Sequence, residues 1–373
     1  MSGIVPLVMP KWGLEMREGT LTHWLVAEGT EIRVGMAIAE VETDKISNAV
    51  EAPDAGTLRR RVAQEGEVLP VKALLAVLAP PDVSDAEIDA YVAAFEVPTA
   101  VGDGEDAINP YRTDDIGGIT VRSTRRGTEN DATPVVFIHG FGGDLNNWLF
   151  NMDAIGADRP VVAFDLPGHG GSSITLPGRT LGELSGFLSE CLSAWDLHRA
   201  HLVGHSLGGA IAAQVALDHP DHVASLTLVN PAGLGDDIAG TYIDGIVHAQ
   251  GRRDLKPTLE MLFADASLVS RQMVDDVLKY LRLDGVQSTL GELAAGVFPG
   301  GRQAETPGRR LDATQVPTLI LWGGQDRIVP ASHTANAPSG ASVQVWEDAG
   351  HMVMMEKAGE VNTIISTHLR AHG

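Results

Sequence analysis

One pentapeptide restricts the fold of this chain more than any other stretch. Residues 204–208 read Gly-His-Ser-Leu-Gly, between a short apolar segment at 201–203 and a run of small apolar residues at 209–217. A strand, a tight turn and a helix are the context in which G-x-S-x-G forms a sharp bend that exposes the serine. The flanking glycines leave room for a backbone that larger residues would block. We therefore expect Ser206 to be a nucleophile if the chain supplies its partners.

Two such partners follow the serine along the chain. Asp326 comes directly after a predicted strand at 318–321, and His351 comes after a predicted strand at 342–346. Both positions are at the carboxyl ends of strands, where open α/β sheets place their functional groups. An aspartate in this role orients the histidine and stabilises the imidazolium that forms. We predict a catalytic triad of Ser206, Asp326 and His351.

Three other residues compete for roles in this site. Asp348 is a weaker candidate for the acid because it is too close in sequence to His351 to reach the far ring nitrogen easily. His169 precedes the serine, whereas catalytic sites built on such a G-x-S-x-G bend have the order serine, acid, histidine along the chain. We interpret His169 as a structural loop residue. Cys191 falls in an apolar-periodic helix candidate at 181–197 and is interpreted as a buried core residue rather than a nucleophile.

A glycine-rich segment at residues 139–143 (His-Gly-Phe-Gly-Gly) follows the predicted strand 134–138. Glycines after a strand let a backbone N–H turn toward the site, as an oxyanion hole requires. We assign the N–H groups of Phe141 and Leu207 to this hole, because Leu207 follows the nucleophile and opens a helix whose dipole favours negative charge. A phosphate cradle is the alternative, but neither G-x-x-x-x-G-K-[ST] nor G-x-G-x-x-G is present.

From about residue 118 onward, apolar strand candidates alternate with helical patterns, which predicts an α/β sheet. With the His-Gly loop, Asp-Leu-Pro-Gly-His-Gly at 165–170 and the late Gly-His at 350–351, residues 118–373 resemble the α/β-hydrolase fold. At about residues 232–311 the alternation of strand and helix candidates stops, and only helical patterns are found. We interpret that segment as a helical cap that controls the entry of substrate and water.

The first eighty residues carry an internal repeat. Gly-Thr-Leu at 19–21 recurs at 56–58, and Glu-Gly at 28–29 recurs at 65–66, in both cases 37 positions later. Each half holds short runs rich in Val, Leu and Ile between turn signals. We expect two similar all-β halves that form a small flattened barrel with quasi-twofold symmetry.

Lys45 lies at the junction of these halves, within the sequence Glu-Thr-Asp-Lys-Ile. Asp-Lys between β-forming residues fits a tight hairpin turn with the lysine at its tip. With Met-Pro-Lys at 9–11, residues 1–80 resemble the lipoyl domains of 2-oxo-acid dehydrogenase-type complexes, whose Asp-Lys turn carries lipoate. Biotinyl domains usually place methionine on both sides of the lysine, whereas Asp and Ile flank it here. The resemblance therefore implies lipoate covalently attached to Lys45.

Residues 81–117 are acidic and contain one basic residue, Arg112. We expect a linker with a short helix that is N-capped by Ser84 and packs an apolar stripe on either the lipoyl-type domain or the hydrolase domain. Such a linker would hold a carrier arm near the catalytic domain at an effective concentration of ~mM. It is too short for the subunit-binding domain of many lipoyl acyltransferases.

Composition excludes several classes of function. The chain has 373 residues with 27 Lys and Arg against 49 Asp and Glu, and its net charge of −22 argues against nucleic acid or an anionic membrane as a partner. The single cysteine suits a reducing compartment. We find no secretory signal pattern and no run approaching ~18 apolar residues. We expect a cytoplasmic protein and predict no metal site.

A lipoyl carrier and a serine triad in one chain resemble the acyltransferase components of acetoin dehydrogenase complexes, in which a lipoyl domain is fused to an α/β hydrolase. Other lipoyl acyltransferases use a domain with His-x-x-x-Asp-Gly, a motif that this sequence lacks. The resemblance implies transfer of acetyl from lipoyl-Lys45 through the triad to coenzyme A. It also implies a thiamine-diphosphate-dependent component and a dihydrolipoamide dehydrogenase as partners.

Two alternatives to this function stay open. A thioesterase or esterase of the α/β-hydrolase fold with an attached lipoyl carrier would pass the acyl group to water. A carrier and assembly scaffold would leave the triad unused, which the complete triad disfavours. No phosphate-binding motif marks a coenzyme A site, and Arg252 and Arg253 are candidate contacts.

Overall fold

The structure, a computed structural model, describes most of the chain. The described residues are 3–10, 12, 16–43, 47–95, 97 and 110–373. They divide into two compact units, the second of which comprises residues 109–269 and 274–373, while the N-terminal part of the chain forms the first. Each unit is described separately below.

Among the described residues of the first unit, eight short strands form two antiparallel sheets. In chain order they are β1 (Val5–Val8), β2 (Glu18–Trp24), β3 (Glu31–Ile32), β4 (Ala37–Glu42), β5 (Ser47–Glu51), β6 (Gly56–Arg61), β7 (Val68–Pro70) and β8 (Leu74–Leu78). One sheet has the strand order β1-β8-β6-β3 and the other has β5-β4-β2-β7. Moving each strand four positions along the chain converts one order into the other. The quasi-twofold symmetry that the repeat predicts is therefore confirmed.

The repeat also indicates which side chains form the core of this unit. Leu21 in β2 and Leu58 in β6 are equivalent in the repeat and are both fully buried, as are Val41 in β4 and Leu78 in β8. Side chains alternate between the two faces of a strand, so equivalent positions of the two halves face the same interior. Lys45 itself lies outside the described residues. The strands on either side of it pair antiparallel.

The short acidic segment after β8 forms helix α1 (Asp85–Ala94). Its first turn has a capping box, in which the Ser84 side chain accepts the Glu87 N–H and the Glu87 carboxylate accepts the Ser84 N–H at 2.9 Å. Ile88 is fully buried against β8. The sequence allows this helix to pack on either the lipoyl-type domain or the hydrolase domain. In the structure it packs on the lipoyl-type domain.

The second unit is built on one sheet of eight strands. In chain order they are β9 (Arg112–Ile116), β10 (Ile119–Gly127), β11 (Val135–Ile138), β12 (Pro160–Phe164), β13 (Ala200–His205), β14 (Val223–Val229), β15 (Thr318–Gly323) and β16 (Ser342–Trp346). The spatial order is β16-β15-β14-β13-β11-β12-β10-β9. The six strands from β11 to β16 are parallel, and β10 and β9 add an antiparallel edge. This is the α/β-hydrolase arrangement expected from the sequence.

The sheet begins earlier than the boundary expected at residue 118. β9 has the acidic sequence Arg-Thr-Asp-Asp-Ile and falls within the segment expected to be linker. It pairs with β10 across a turn at Gly117 and Gly118, which both adopt positive φ. An edge strand pairs through its backbone and tolerates polar side chains. The acidic composition of residues 112–116 therefore does not show that they belong to the linker.

Helices cover this sheet and fill the long connection between β14 and β15. The covering helices are α2 (Met152–Ile155), α3 (Leu181–Ala194), α4 (Leu207–Asp218), α9 (Val353–Glu356) and α10 (Ala358–His372). The connection, called here the helical insertion, holds α5 (Gly240–His248), α6 (Arg252–Glu260), α7 (Arg271–Leu281) and α8 (Val286–Val297). Among the described residues, no helix has the length and apolar character needed to span a membrane.

The docking of α1 is testable through its buried isoleucine. Ile88→Ala should weaken the packing of α1 by about 2–4 kcal/mol and raise the hydrogen-exchange rate of its amides roughly 30-fold or more. Asp89→Ala is the matched control, since it removes only an exposed ion pair with Arg60. Amide exchange measured by mass spectrometry on the full chain reads out both variants. Equal exchange in the two variants would contradict the docking.

Candidate active site

Ser206 occupies a strained bend between β13 and α4. Its φ is +52° and its ψ is −118°, a backbone conformation that costs a residue with a side chain roughly 1–3 kcal/mol. The turn is also tightly packed. A Cβ at Gly208 would lie 2.3 Å from the Ile138 carbonyl oxygen, and a Cβ at Gly204 would lie 2.4 Å from the Gly208 carbonyl oxygen. The flanking glycines are therefore required by close backbone approach, as the pentapeptide predicts.

The structure brings Asp326 and His351 together. The His351 Nδ1–H donates to Asp326 Oδ2 at 2.7 Å, and both side chains are almost fully buried. With the hydrogen on Nδ1, a neutral imidazole keeps Nε2 as an acceptor. This is the tautomer that a general base beside a serine requires.

The Asp326 carboxylate is held by further donors. Asn230 Nδ2 donates to the same oxygen, Oδ2, at 2.8 Å. The backbone N–H groups of Ile328 and Val329 donate to Oδ1 at 2.8 and 3.0 Å. These bonds leave the carboxylate one orientation, with Oδ2 directed at the histidine.

His205 links the serine to the histidine. Its ring lies 4.6 Å from the ring of His351 between centroids, and its Nε2–H donates to the His351 carbonyl oxygen at 2.9 Å. Complete burial and the neighbouring His351 hold the pKa of His205 well below its usual range, so its ring is neutral. Because Ser206 directly follows His205, the predicted nucleophile is the chain neighbour of a residue that contacts the predicted base.

The glycine-rich loop after β11 lies against the serine. A Cβ at Gly140 would lie 2.9 Å from Ser206 Cβ. Phe141 and Leu207 are buried, and within the described part of the chain neither backbone N–H donates a hydrogen bond to another residue. Leu207 is also the first residue of α4. Both amides are therefore suited to the oxyanion role assigned to them on sequence grounds.

Two buried histidines support this loop. The His139 Nδ1–H donates to the Gly140 carbonyl oxygen at 2.8 Å, and its Nε2 accepts the Leu166 N–H at 2.9 Å. Burial lowers the pKa of His139 to about 4 and that of His169 to about 3, so both rings are neutral at pH 7. His169 packs edge-on against Phe141, with 5.9 Å between ring centroids. This placement agrees with its interpretation as a structural loop residue.

The arrangement suits acyl transfer through an acyl-serine. That chemistry requires a hydroxyl on a sharp strand-to-helix bend, a neutral imidazole oriented by a carboxylate, and backbone donors near the hydroxyl. Among the described residues, no group of three or more His, Cys, Asp and Glu side chains could hold a metal ion.

In comparisons with known protein families, the two units match different families. Residues 5–78 match the family described as biotin-requiring enzymes, of the biotin- and lipoyl-attachment type. Residues 133–358 match the alpha/beta hydrolase fold family.

Two relatives match across the whole chain. The dihydrolipoyllysine-residue acetyltransferase component of the acetoin cleaving system of Cupriavidus necator is 57% identical over 366 residues, which cover 98% of this chain and 97% of that protein. The component of the same name from Pseudomonas putida is 48% identical over 374 residues, which cover all of both chains. This chain belongs to the family of dihydrolipoyllysine-residue acetyltransferase components of acetoin cleaving systems.

Solved structures match the second unit of this acetyltransferase family member. A meta-cleavage product hydrolase from Pseudomonas fluorescens is 20% identical with a TM-score of 0.64, and the match covers 70% of this chain and 98% of that one. A carboxylesterase from Bacillus subtilis is 18% identical with a TM-score of 0.62, and the match covers 70% and 91% of the two chains. At these identities the likeness shows the fold alone.

Sequence reasoning overlooked His205 and Asn230. Asn230 directly follows β14, adopts a φ of +42°, and donates to Asp326 and to the Gly350 carbonyl oxygen at 2.8 and 3.2 Å. Its place after a strand, like that of Asp326, is a signal that could have found it. For His205 the signal is its adjacency to the serine, but its hydrogen bond depends on a residue 146 positions away.

Two tyrosines of the helical insertion reach the loops around the site, and the sequence gives no sign of either contact. Tyr242 in α5 donates to the Phe141 carbonyl oxygen at 3.2 Å, and Tyr280 in α7 donates to the Gly168 carbonyl oxygen at 2.5 Å. Burial raises the pKa of both hydroxyls, so they remain protonated donors. The insertion is thus attached to the loop that carries Phe141.

The contact between His205 and His351 predicts a positioning role in this acetyltransferase family. His205→Phe keeps an aromatic ring but loses the donor, so kcat for acetyl transfer should fall about ten- to a hundredfold with KM little changed. His205→Gln, which can still donate from the end of its side chain, should retain more of kcat. The pH profile of kcat for each variant provides a second readout. A Phe variant with the wild-type kcat and pH profile would show that the contact is structural only.

Proposed function

We propose that this protein is the dihydrolipoyllysine-residue acetyltransferase of an acetoin-cleaving complex and that it transfers acetyl from lipoyl-Lys45 through Ser206 to coenzyme A. The observation that carries the proposal is a hydrogen-bonded pair of Asp326 and His351, together with a strained serine that directly follows the residue whose ring contacts His351, in a chain that also holds a lipoyl-type domain. In this proposal residues 1–80 are the carrier domain, and the helical insertion within 232–311 is the cap of the catalytic domain.

Attachment of lipoate to Lys45 is supported by the pairing of the two strands that flank it in the sequence. β4 and β5 remain paired up to Glu42 and Ser47, the last described strand residues on either side of the lysine. The primary amine of a lysine is the group that an amide-linked lipoyl arm requires. When attached, this group supplies an acyl thioester at the end of a long arm, while the protein supplies position.

In the first half of the proposed reaction, Ser206 accepts the acyl group. His351 Nε2 takes the Ser206 hydroxyl proton as the oxygen attacks the thioester carbonyl carbon, and Asp326 stabilises the imidazolium that forms. The N–H groups of Phe141 and Leu207 stabilise the oxyanion. The C–S bond then breaks, and His351 returns the proton to the departing sulfur, which leaves an ester on Ser206.

In the second half, the thiol of coenzyme A replaces the serine. His351 Nε2 takes the thiol proton, the sulfur attacks the ester carbon, and the C–O bond to Ser206 breaks. The proton passes from His351 to the serine oxygen, so the enzyme is restored. Water competes with the thiol at this stage, and the contacts of Tyr242 and Tyr280 keep the helical insertion over the loops where water would enter.

The proposed partners follow from the chemistry of the donor. A thiamine-diphosphate-dependent component would load the arm with acetyl, and a dihydrolipoamide dehydrogenase would reoxidise the dithiol. The single cysteine, Cys191, is a buried thiol that forms no disulfide. It suits a reducing compartment, which supports a cytoplasmic location.

The decisive experiment supplies acetyl-dihydrolipoamide with coenzyme A or with water alone. Wild-type protein should form acetyl-CoA much faster than acetate, and Ser206→Ala should reduce turnover by on the order of 10⁴-fold or more. Lys45→Arg is the matched control, because it removes the attachment site but leaves the triad intact. It should process the free substrate normally while losing the lipoyl mass increment.

Each alternative function gives a different result in this assay. Acetate as the main product would identify a thioesterase or esterase. Neither product from wild-type protein would identify a carrier or scaffold. Undiminished acetyl transfer by the Ser206 variant would exclude the proposed acyl-serine, and an unchanged mass shift in the Lys45 variant would place the lipoyl group elsewhere.

A further inference from the structure

A groove of about 730 Å³ opens between α6 and α7 of the helical insertion. It contains three of the cations of this insertion and only one acid. The lining residues are Arg252, Asp275, Leu278, Lys279, Arg282 and Leu283. These residues define the α6–α7 groove, to which neither the triad nor the oxyanion loop belongs.

The charge of this groove is opposite to that of the chain. The protein carries a net charge of −22, yet the groove lining has three basic side chains and one acidic one. Asp275 is engaged by Arg252, whose Nη2 donates to Asp275 Oδ2 at 2.8 Å. Within the described part of the chain, no carboxylate lies within ion-pair distance of Lys279 or Arg282. Arg282 Nη2 donates to the Gln250 carbonyl oxygen at 3.5 Å, a neutral acceptor, so the positive charges of Lys279 and Arg282 remain for an anionic ligand.

The positions of these cations suit a compact, multiply charged anion. Lys279 and Arg282 are three residues apart on and just beyond α7, so their side chains project from the same face. The Arg252–Asp275 pair ties α6 to α7 on the same face of α7, one turn before Lys279. Arginine and lysine at such spacing bind phosphate oxygens through charge-assisted hydrogen bonds.

An apolar surface lies beside the cations. Leu283 is 56% exposed, and the buried side chain of Leu278 also lines the groove. Phosphates next to an exposed apolar side chain suit a ligand that joins phosphate groups to a flat base. A nucleotide has that chemistry, whereas inorganic phosphate or a simple carboxylate would leave the leucine unused.

Helix α7 connects the groove to the candidate active site. Tyr280, the neighbour of Lys279, donates to the Gly168 carbonyl oxygen at 2.5 Å. His169, the next residue in that loop, packs against Phe141 of the oxyanion loop. One face of the helix therefore borders the groove, while another contacts the loops around Ser206.

We propose that the α6–α7 groove binds the phosphate-bearing nucleotide end of coenzyme A, with Lys279 and Arg282 contacting its phosphates, while the thiol end reaches Ser206. The inference rests on the proposed function, in which coenzyme A is the acyl acceptor. The sequence has no phosphate-binding motif, so this site for coenzyme A forms only when the chain folds. Of the two arginines considered on sequence grounds, Arg252 lines this groove and Arg253 is not among its lining residues.

The test compares coenzyme A with pantetheine, which has the thiol arm but no nucleotide. A double variant, Lys279→Gln with Arg282→Gln, should raise KM for coenzyme A by about ten- to a hundredfold, since each lost charged hydrogen bond is worth roughly tenfold. Its kcat with coenzyme A and its kcat/KM with pantetheine should stay at the wild-type values. Arg253→Gln with Lys256→Gln is the matched control, because it removes two cations of α6 outside the lining.

Three outcomes would overturn the proposal. The first is an unchanged KM for coenzyme A, and the second is an equal change for coenzyme A and pantetheine. The third is a raised KM for the acetylated lipoyl domain as donor with no change for either acceptor, which would make the groove a docking site for that acidic domain.

Direct binding separates this proposal from the proposed function. Calorimetric titration of wild-type protein and the double variant with coenzyme A, without any acyl donor, should show weaker binding only in the variant. If wild-type protein binds coenzyme A through the groove but transfers no acetyl, the proposed function fails and the binding site stands. If acetyl transfer occurs but both proteins bind coenzyme A equally, the binding site fails alone.

Discussion

The hydrogen bond between His351 Nδ1–H and Asp326 Oδ2 is the contact on which the proposed chemistry of this protein depends. It determines which ring nitrogen carries the hydrogen and so leaves the other free to accept a proton. The parallel sheet makes this contact possible. β13, β14, β15 and β16 end at one edge, and each is followed by a residue of the site: Ser206, Asn230, Asp326 and His351 in turn. Residues far apart in the chain therefore meet without a long irregular loop.

The bend at Ser206 imposes a second constraint, which is steric. Gly208 lies so close to the carbonyl oxygens of Ile138 and His139, and Gly204 so close to the first turn of α4, that glycine is needed at both flanking positions. His205 is buried in the same crowded region. Its neutral ring donates a hydrogen bond to the His351 carbonyl oxygen, and the next residue, Ser206, carries the hydroxyl. A protonated His205 would repel the imidazolium on His351. Burial that keeps it neutral thus supports the positive charge formed during catalysis.

Much of the architecture follows from the sequence for identifiable reasons. The 37-residue repeat predicts two equivalent sheets because equivalent apolar positions, such as Leu21 and Leu58, must share one interior. The order of serine, acid and histidine predicts the hydrolase sheet because each follows a strand. Asn230 and His205 were not predicted, since their roles depend on hydrogen-bond direction and burial, which residue type does not reveal.

The sequence by itself determined the two folds, the placement of the predicted triad residues after their strands, and the presence of a capped helix with an apolar stripe after β8. Only the tertiary structure decided which surface that helix covers, because an apolar stripe shows that one face is buried but not against what. The same holds for β9, whose acidic residues pair at a sheet edge. It also holds for the α6–α7 groove. The proposed anion site at Lys279 and Arg282 depends on folding, which pairs Arg252 with Asp275 and, within the described part of the chain, brings no carboxylate into ion-pair distance of the other two cations.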